Sequence, residues 1–304
     1  MITDLLNPED LSRLRNLQVL ARNRVEGMRT GLHRSPHKGH SVEFREHRPY
    51  SKGDELRTID WKVFGKSDRL FIRQYEEETN LRCHLLVDTS GSMGYTGTRA
   101  AGMTKLRFAS KLAAALAYLM LNQQDSVGLV TFSTELESYL PPRGLVTHLG
   151  TIANQLLALQ PPAPGQGESE PGEFPLTQLI PKLRRGGLVV VFSDCFGNID
   201  SITKSLAQFI QARNDVVVFQ ILDRDEVDFP FHSMAQFRSL EQVKMLRRID
   251  PGRFRNSYLQ KFADYQDGLN ASLSGARVEL VTVINDRSIG DILAEFLVKR
   301  RKAQ

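Results

Sequence analysis

The 304-residue chain is poor in cysteine and tryptophan, with two of the first and one of the second. Two thiols in a chain this long, Cys83 and Cys195, make no disulfide framework and suit a reducing compartment. Long apolar runs are lacking as well. The longest, Leu112 to Leu121, is too short to cross a bilayer and follows Lys105, Arg107 and Lys111. Met1-Ile2-Thr3-Asp4 opens on an acid where a secretory leader carries a basic region. These absences argue against a disulfide-stapled secreted scaffold and a membrane span, and they point to a cytoplasmic protein. Catalytic signatures are missing too: there is no P-loop, no Gly-x-Ser-x-Gly and no His-Glu-x-x-His. The net charge of +5 is a mild basic excess, which permits an acidic partner without requiring one.

The length suits one large or two modest domains. Residues 7–28 read as a helix, with Pro8 near its start and Leu11, Leu14, Leu17, Ala21, Val25 and Met28 at spacings of three and four. A basic, breaker-rich loop follows. Residues 44–61 then mix charges with a few aromatics, a composition that cannot bury itself alone. Trp61 and Tyr50 are expected to anchor it on a larger body; Arg45, Arg48, Asp54, Arg57 and Asp60 read either as a partner-binding surface or, the favoured reading, as an ion-pair network that pins the segment to the sheet. Leu70–Tyr75 reads as a strand, and Glu76-Glu77-Glu78 as a solvated turn. A domain boundary is expected at residues 79/80, with 1–79 holding the helix and the charged segment.

From residue 81 buried, β-branched strands alternate with helices. Strands are expected at 81–88, 127–132, 136–140, 187–194, 216–222 and 278–284. Helices are expected at 105–122, 148–159, 176–185, 199–213, 253–273 and 289–299, and 160–175, with five prolines and three glycines, as an exposed loop. Residues 229–250 fit no single element. This pattern predicts an α/β fold, a doubly wound, Rossmann-like sheet covered on both faces. In the common order 3-2-1-4-5-6, with the short third strand an antiparallel edge, strands one and four are neighbours. Strand one ends at Asp88 and strand four at Asp194. The two acids should therefore meet at the carboxyl edge, where open α/β sheets bind ligands.

The chemistry expected there is that of a divalent cation, Mg²⁺ or another such as Mn²⁺. Mg²⁺ takes near-octahedral oxygen ligands, usually one or two carboxylates plus waters. Asp88 and Asp194 supply carboxylates, and Ser90 and Ser92 supply short hydroxyls from a loop that Gly91 lets turn tightly. Asp-Thr-Ser-Gly-Ser is also a composition that favours plain turns. Its position directly after a buried strand, matched by a second strand ending Ser193-Asp194, favours the metal.

Asp88-x-Ser90-x-Ser92 resembles the metal-ion-dependent adhesion motif of von Willebrand factor A domains, and the six-strand order and Phe192-Ser193-Asp194 match that family too. The resemblance implies one more ligand, a threonine from the loop after the third strand. Thr147 stands there, although Arg143-Gly144-Leu145-Val146-Thr147-His148 departs from the family's usual Thr-Gly context. Upstream, Glu43-Phe44-Arg45-Glu46-x-Arg48-x-Tyr50-x-x-Gly53-Asp54-x-x-Arg57-x-Ile59-Asp60-Trp61-Lys62 resembles the signature of the bacterial family called domain of unknown function 58. That resemblance covers nearly the whole chain after residue 25. Its members carry a von Willebrand A-like domain and are typically encoded beside MoxR-type AAA+ ATPases. It implies a non-enzymatic, metal-dependent protein-interaction module. Such a module would partner or adapt a MoxR-type ATPase in chaperone-like assembly or maturation, with a protein client offering an acidic residue to the metal. Many relatives have membrane segments before the signature, and none is visible here.

Two other classes stay open on sequence. A metal-dependent hydrolase or phosphotransferase would use the same carboxylates but needs a base, and His148 is the one distant candidate. A nucleic-acid binder would use the basic excess, yet no stacking aromatic motif or contiguous basic face is evident. His33, His37 and His40 lack the further ligands that a zinc site needs. Cys195 reads as a buried small hydrophobe. Lys299-Arg300-Arg301-Lys302 reads as a solvated end that complements a helix dipole.

Overall fold

The short β-branched apolar runs from residue 81 onward become strands of one sheet, and the longer run at Leu112–Leu121 becomes a buried helix. The computed structural model describes residues 5–6, 9–10, 12–14, 42–51, 59–67, 69–77, 81–162, 175–183, 186–232, 235–238 and 246–302. The chain divides into two compact units, Arg29–Asn80 on its own, and Met1–Met28 together with Leu81–Gln304.

In the smaller unit, β1 (Val42–Pro49) pairs antiparallel with β2 (Phe71–Glu77), with a bulge between Phe44 and Glu46. Between them lies the short helix α1 (Trp61–Ser67). The charged segment thus forms a ladder of its own, where the sequence suggested an extended strip, and Glu76 and Glu77 belong to β2 where a turn was expected. Asp60 serves the backbone: its Oδ1 accepts from the Lys62 and Val63 amides at 2.9 and 3.3 Å, capping α1. Trp61, expected as an anchor, is 64% exposed and meets the edge of Phe64. The side chains of Arg45, Asp54 and Arg57, and His33, His37 and His40, lie outside the described residues.

The larger unit is built on six strands: β3 (Arg82–Asp88), β4 (Ser126–Phe132), β5 (Leu136–Arg143), β6 (Leu188–Ser193), β7 (Asp215–Leu222) and, after a separate β8–β9 pair (Ala235–Arg238 and Leu246–Ile249), β10 (Glu279–Ile284). Their spatial order is β10-β7-β6-β3-β4-β5. Numbered within the sheet this is the expected 3-2-1-4-5-6, read from the other side. All pairs are parallel except β4–β5. The edge strand β5 carries Pro141 and Pro142, which an edge tolerates because a missing N–H faces no neighbour.

Successive strand residues feed opposite faces, as the pleat requires. Cys83, Leu85, Val87, Val190, Phe192 and Phe219 join one core with α2 (Lys105–Leu121), α3 (His148–Ala158) and α7 (Ile289–Lys302). Leu86, Val130, Val189, Val191 and Val218 join the other with α4 (Ile199–Gln211) and α6 (Pro251–Gly275). Burial on both faces explains why these strands read as unbroken apolar runs. Helix α2 is buried nearly all round, as a helix apolar on every side must be, and Thr104 Oγ1 caps it by accepting from the Arg107 amide at 3.1 Å. The short helix α5 (Arg224–Asp228) follows β7.

Two expectations are corrected here. Residues 1–28 group with the sheet and not with the charged segment, because Leu5, Leu6 and Leu14 are buried in the α2–α7 core. The helix expected near 176–185 is a 3-10 helix, Pro175–Lys182, with Pro181 inside it. Among the described residues, no helix is long and apolar enough to cross a membrane.

Phe219 is fully buried between Phe192, stacked at 5.4 Å, and Phe296, edge-on at 5.1 Å. Phe219→Ala should cost about 3–5 kcal/mol of unfolding free energy. Urea titration should show a lower midpoint at an unchanged slope, and a loss below ~1 kcal/mol would contradict this packing.

Candidate metal centre

The carboxyl edge of β3 and β6 is built from the two strand ends. Val87 is in register with Phe192, so Asp88 stands beside Ser193. The Ser193 hydroxyl donates to Asp88 Oδ2 at 2.5 Å, and the Ser90 amide donates to Asp88 Oδ1 at 2.9 Å. The loop is pinned to β4, since the Thr89 amide and hydroxyl both donate to the Phe132 carbonyl. A single 3-10 turn, Gly91–Gly94, buries Met93 as its anchor and leaves Ser90 and Ser92 half-buried. Their hydroxyl oxygens lie 3.2 Å apart.

Asp194 is buried one strand away. The Phe196 amide donates to its Oδ1 at 3.2 Å. Cys195 between them has φ +56°, a left-handed backbone that a side chain rarely adopts and that clusters at functional sites. Burial, and then the neighbouring Asp194, push the Asp88 carboxyl up to about 7, although hydrogen bonds from Ser193 and Ser90 act the other way. The two acids close neighbouring parallel strands, β3 and β6, and the charge of Asp194 is felt at Asp88.

Lys105, the first residue of α2 and fully buried, reaches into this edge. Its Nζ donates to Asp194 Oδ2 at 2.8 Å and to Glu226 Oε1 at 2.7 Å. Burial alone would lower the lysine's pKa, but Asp194 and Glu226 outweigh it and hold the ammonium charged. The Phe196 ring lies 5.3 Å from the same nitrogen. Glu226 belongs to a capping box at the start of α5, its other oxygen accepting from the Asp223 amide. Asp223 accepts from the Gly97 amide, and Asp225 from the Thr98 amide and hydroxyl and from Arg99. A Cβ at Gly97 would meet Asp223 Oδ1 at 2.1 Å, so only glycine lets the loop approach this closely.

The structure brings together Asp88, Ser90, Ser92 and Asp194. It does not bring Thr147 to them. The edge strand β5 runs antiparallel, with Leu136 opposite Phe132 and Arg143 opposite Val127. The loop after it therefore lies at the amino edge, roughly 17 Å from Asp88 at about 3.3 Å per residue. Thr147 is exposed there, just ahead of α3, and His148 is buried there among backbone carbonyls. Helix α3 must return the chain before it meets the loop after β3 again: a Cβ at Gly94 would sit 2.8 Å from Pro161.

Lys105, Glu226 and Asp223 escaped the reading of the sequence. The signal for Asp223 was present, since it directly follows the apolar run of β7 much as Asp88 closes that of β3. Lys105 sits at the head of a helix whose first two turns also carry Arg107 and Lys111, which gave no reason to single it out for burial.

The fit to a divalent cation can be judged from the donors. Among the described residues no group of three or more His, Cys, Asp or Glu side chains forms a metal cluster. The donor set is two carboxylates and two hydroxyls, all oxygen, which suits a hard ion. An octahedral shell with bonds of about 2.1 Å puts adjacent oxygens about 3 Å apart, close to the Ser90–Ser92 separation. The residues fit.

The family model described as Protein of unknown function DUF58 matches residues 46–267. The chain belongs to that family. The sheet order gives this DUF58 chain a von Willebrand A-like fold. The uncharacterized protein Rv1480 of Mycobacterium tuberculosis is 26% identical over 301 residues, covering 98% of this chain and 92% of its own length. Among solved structures, an aerotolerance-related membrane protein from Bacteroides fragilis, with multiple mutations to serines, is 15% identical, with a TM-score of 0.42, covering 72% of this chain and 100% of that one. The SpRpn10 VWA domain is 11% identical, with a TM-score of 0.39, covering 71% and 95%.

The Asp88 shift has a measurable consequence. In cation-free protein the group holds its proton up to about pH 7 when folded, but only to about 3.9 when unfolded. Between those values the native state binds more protons, so its stability falls as pH rises, and the loss is complete above the folded value. Thermal melts in chelator should show a lower Tm at pH 8 than at pH 5.5, and Asp88→Asn should remove most of that difference. An unchanged pH dependence in Asp88→Asn would contradict the assignment.

Proposed function

We propose that the edge carrying Asp88, Ser90, Ser92 and Asp194 binds Mg²⁺ or Mn²⁺ and, through that ion, an acidic side chain of another protein. On this reading the chain is a non-enzymatic interaction module that serves a MoxR-type AAA+ ATPase in chaperone-like assembly or maturation. The observation that carries the reading is the pairing of two buried carboxylates on adjacent strand ends beside two accessible serine hydroxyls. Such a site neutralises little of the ion's charge, because Lys105 already answers part of Asp194. The ion stays electrophilic toward one more carboxylate. Phe196, 36% exposed beside Asp194, offers a partner an apolar contact. The ATPase enters through family resemblance alone.

An enzyme built on the same carboxylates has less support. His148, the base that it would need, lies at the opposite edge of the sheet. The Cys195 thiol is fully buried, and burial, then Asp194 and Asp88, raise its pKa, which disfavours the thiolate. A MoxR-type ATPase from the same genome should be retained by the immobilised chain in Mg²⁺. It should be lost in chelator, and lost to Asp88→Ala that keeps its circular dichroism spectrum. Retention that survives chelator would refute the mechanism.

A further inference from the structure

Lys105 is the feature of this edge that a plain cation site does not call for. Its side chain is wholly buried, its nitrogen bridges Asp194 and Glu226 at 2.8 and 2.7 Å, and the rings of Phe196 and Tyr95 close it in at 5.3 and 6.0 Å. The bridge ties the end of β6 to the capping box of α5, so the ammonium has little freedom to withdraw. Leaving it unpaired in that position would itself be costly. A divalent ion seated on Asp88, Ser90 and Ser92 and drawing on Asp194 therefore shares a carboxylate with a fixed positive charge. Asp194 retains lone pairs for a metal, because each carboxylate oxygen accepts more than one bond. Lys105 reduces the attraction of that carboxylate without blocking it.

We infer that Lys105 is a built-in counter-ion that holds Asp194 in place when no metal is bound and weakens the site's grip on a divalent cation. This rests on the divalent-cation reading of the site. Like charges a few ångströms apart in a partly dry environment repel strongly enough to change affinity by an order of magnitude or more.

The test is calorimetric titration of the full chain with Mn²⁺, supported by the Mn²⁺ electron paramagnetic resonance signal as a direct count of free ion. Lys105→Met should bind Mn²⁺ at least about tenfold more tightly than wild type. Glu226→Gln should bind it more weakly, because Lys105 then attends Asp194 alone and the edge loses a negative charge. A folded Lys105→Met that binds no more tightly than wild type overturns the inference. Should Lys105→Met fail to fold, Glu226→Gln decides, and unchanged or tighter binding there overturns it. Absence of Mn²⁺ uptake by wild type and all variants, or uptake by Asp88→Ala equal to wild type, removes the cation reading and the inference with it.

Discussion

Asp88, Asp194, Asp223, Asp225 and Glu226 gather at the carboxyl edge of this sheet with the Lys105 ammonium among them, and the imbalance of these charges governs the site. Asp194 and Glu226 are both answered by Lys105. Asp88 accepts from the Ser193 hydroxyl and from the amide and side chain of Ser90, all neutral donors, while the charge of Asp194 acts to raise its pKa. Buried charges persist when they are paired or bind a metal. Among the described residues Asp88 has no cationic partner, and the Ser90 and Ser92 hydroxyls lie beside it. The divalent ion proposed for this edge would resolve the imbalance. That is a physical reason for the Asp-x-Ser-x-Ser loop to end a strand here.

The same charges organise the loops around the site. Asp223 holds the Gly97 amide and the Asn285 side chain, so it links the loop after β3 to the end of β10. Asp225 holds Thr98 and Arg99, and Arg99 also reaches Asp228. Tyr258 and Tyr265 of α6 donate to the Glu226 and Cys195 carbonyls from above. A short glycine-bearing loop is thus tied down from several sides, which preorganises its hydroxyls.

Much of this was legible in the residues. The strand ends Asp88 and Asp194 could be paired from strand order alone, because a parallel sheet leaves few topologies open. Thr147 was misplaced for a topological reason: an antiparallel edge strand reverses the direction of the chain, so the loop after it faces away from the site. Lys105 was invisible because burial of a lysine depends on two acids, 89 and 121 residues away, that only the fold assembles. Trp61 looked like an anchor because large aromatics are usually buried, and its exposure has no signature in the sequence. Leu5, Leu6 and Leu14 are buried in the core of the sheet unit, and the helical spacing of leucines near them shows a buried face without saying which body covers it.

Diffraction from crystals soaked in Mn²⁺, recorded for anomalous scattering, tests the central claim most directly. The account predicts one peak bounded by the Ser90 and Ser92 hydroxyls and the Asp88 and Asp194 carboxylates, with Lys105 still on Asp194. A map with no peak at that edge, at a Mn²⁺ concentration that saturates other oxygen-ligand sites, would contradict it.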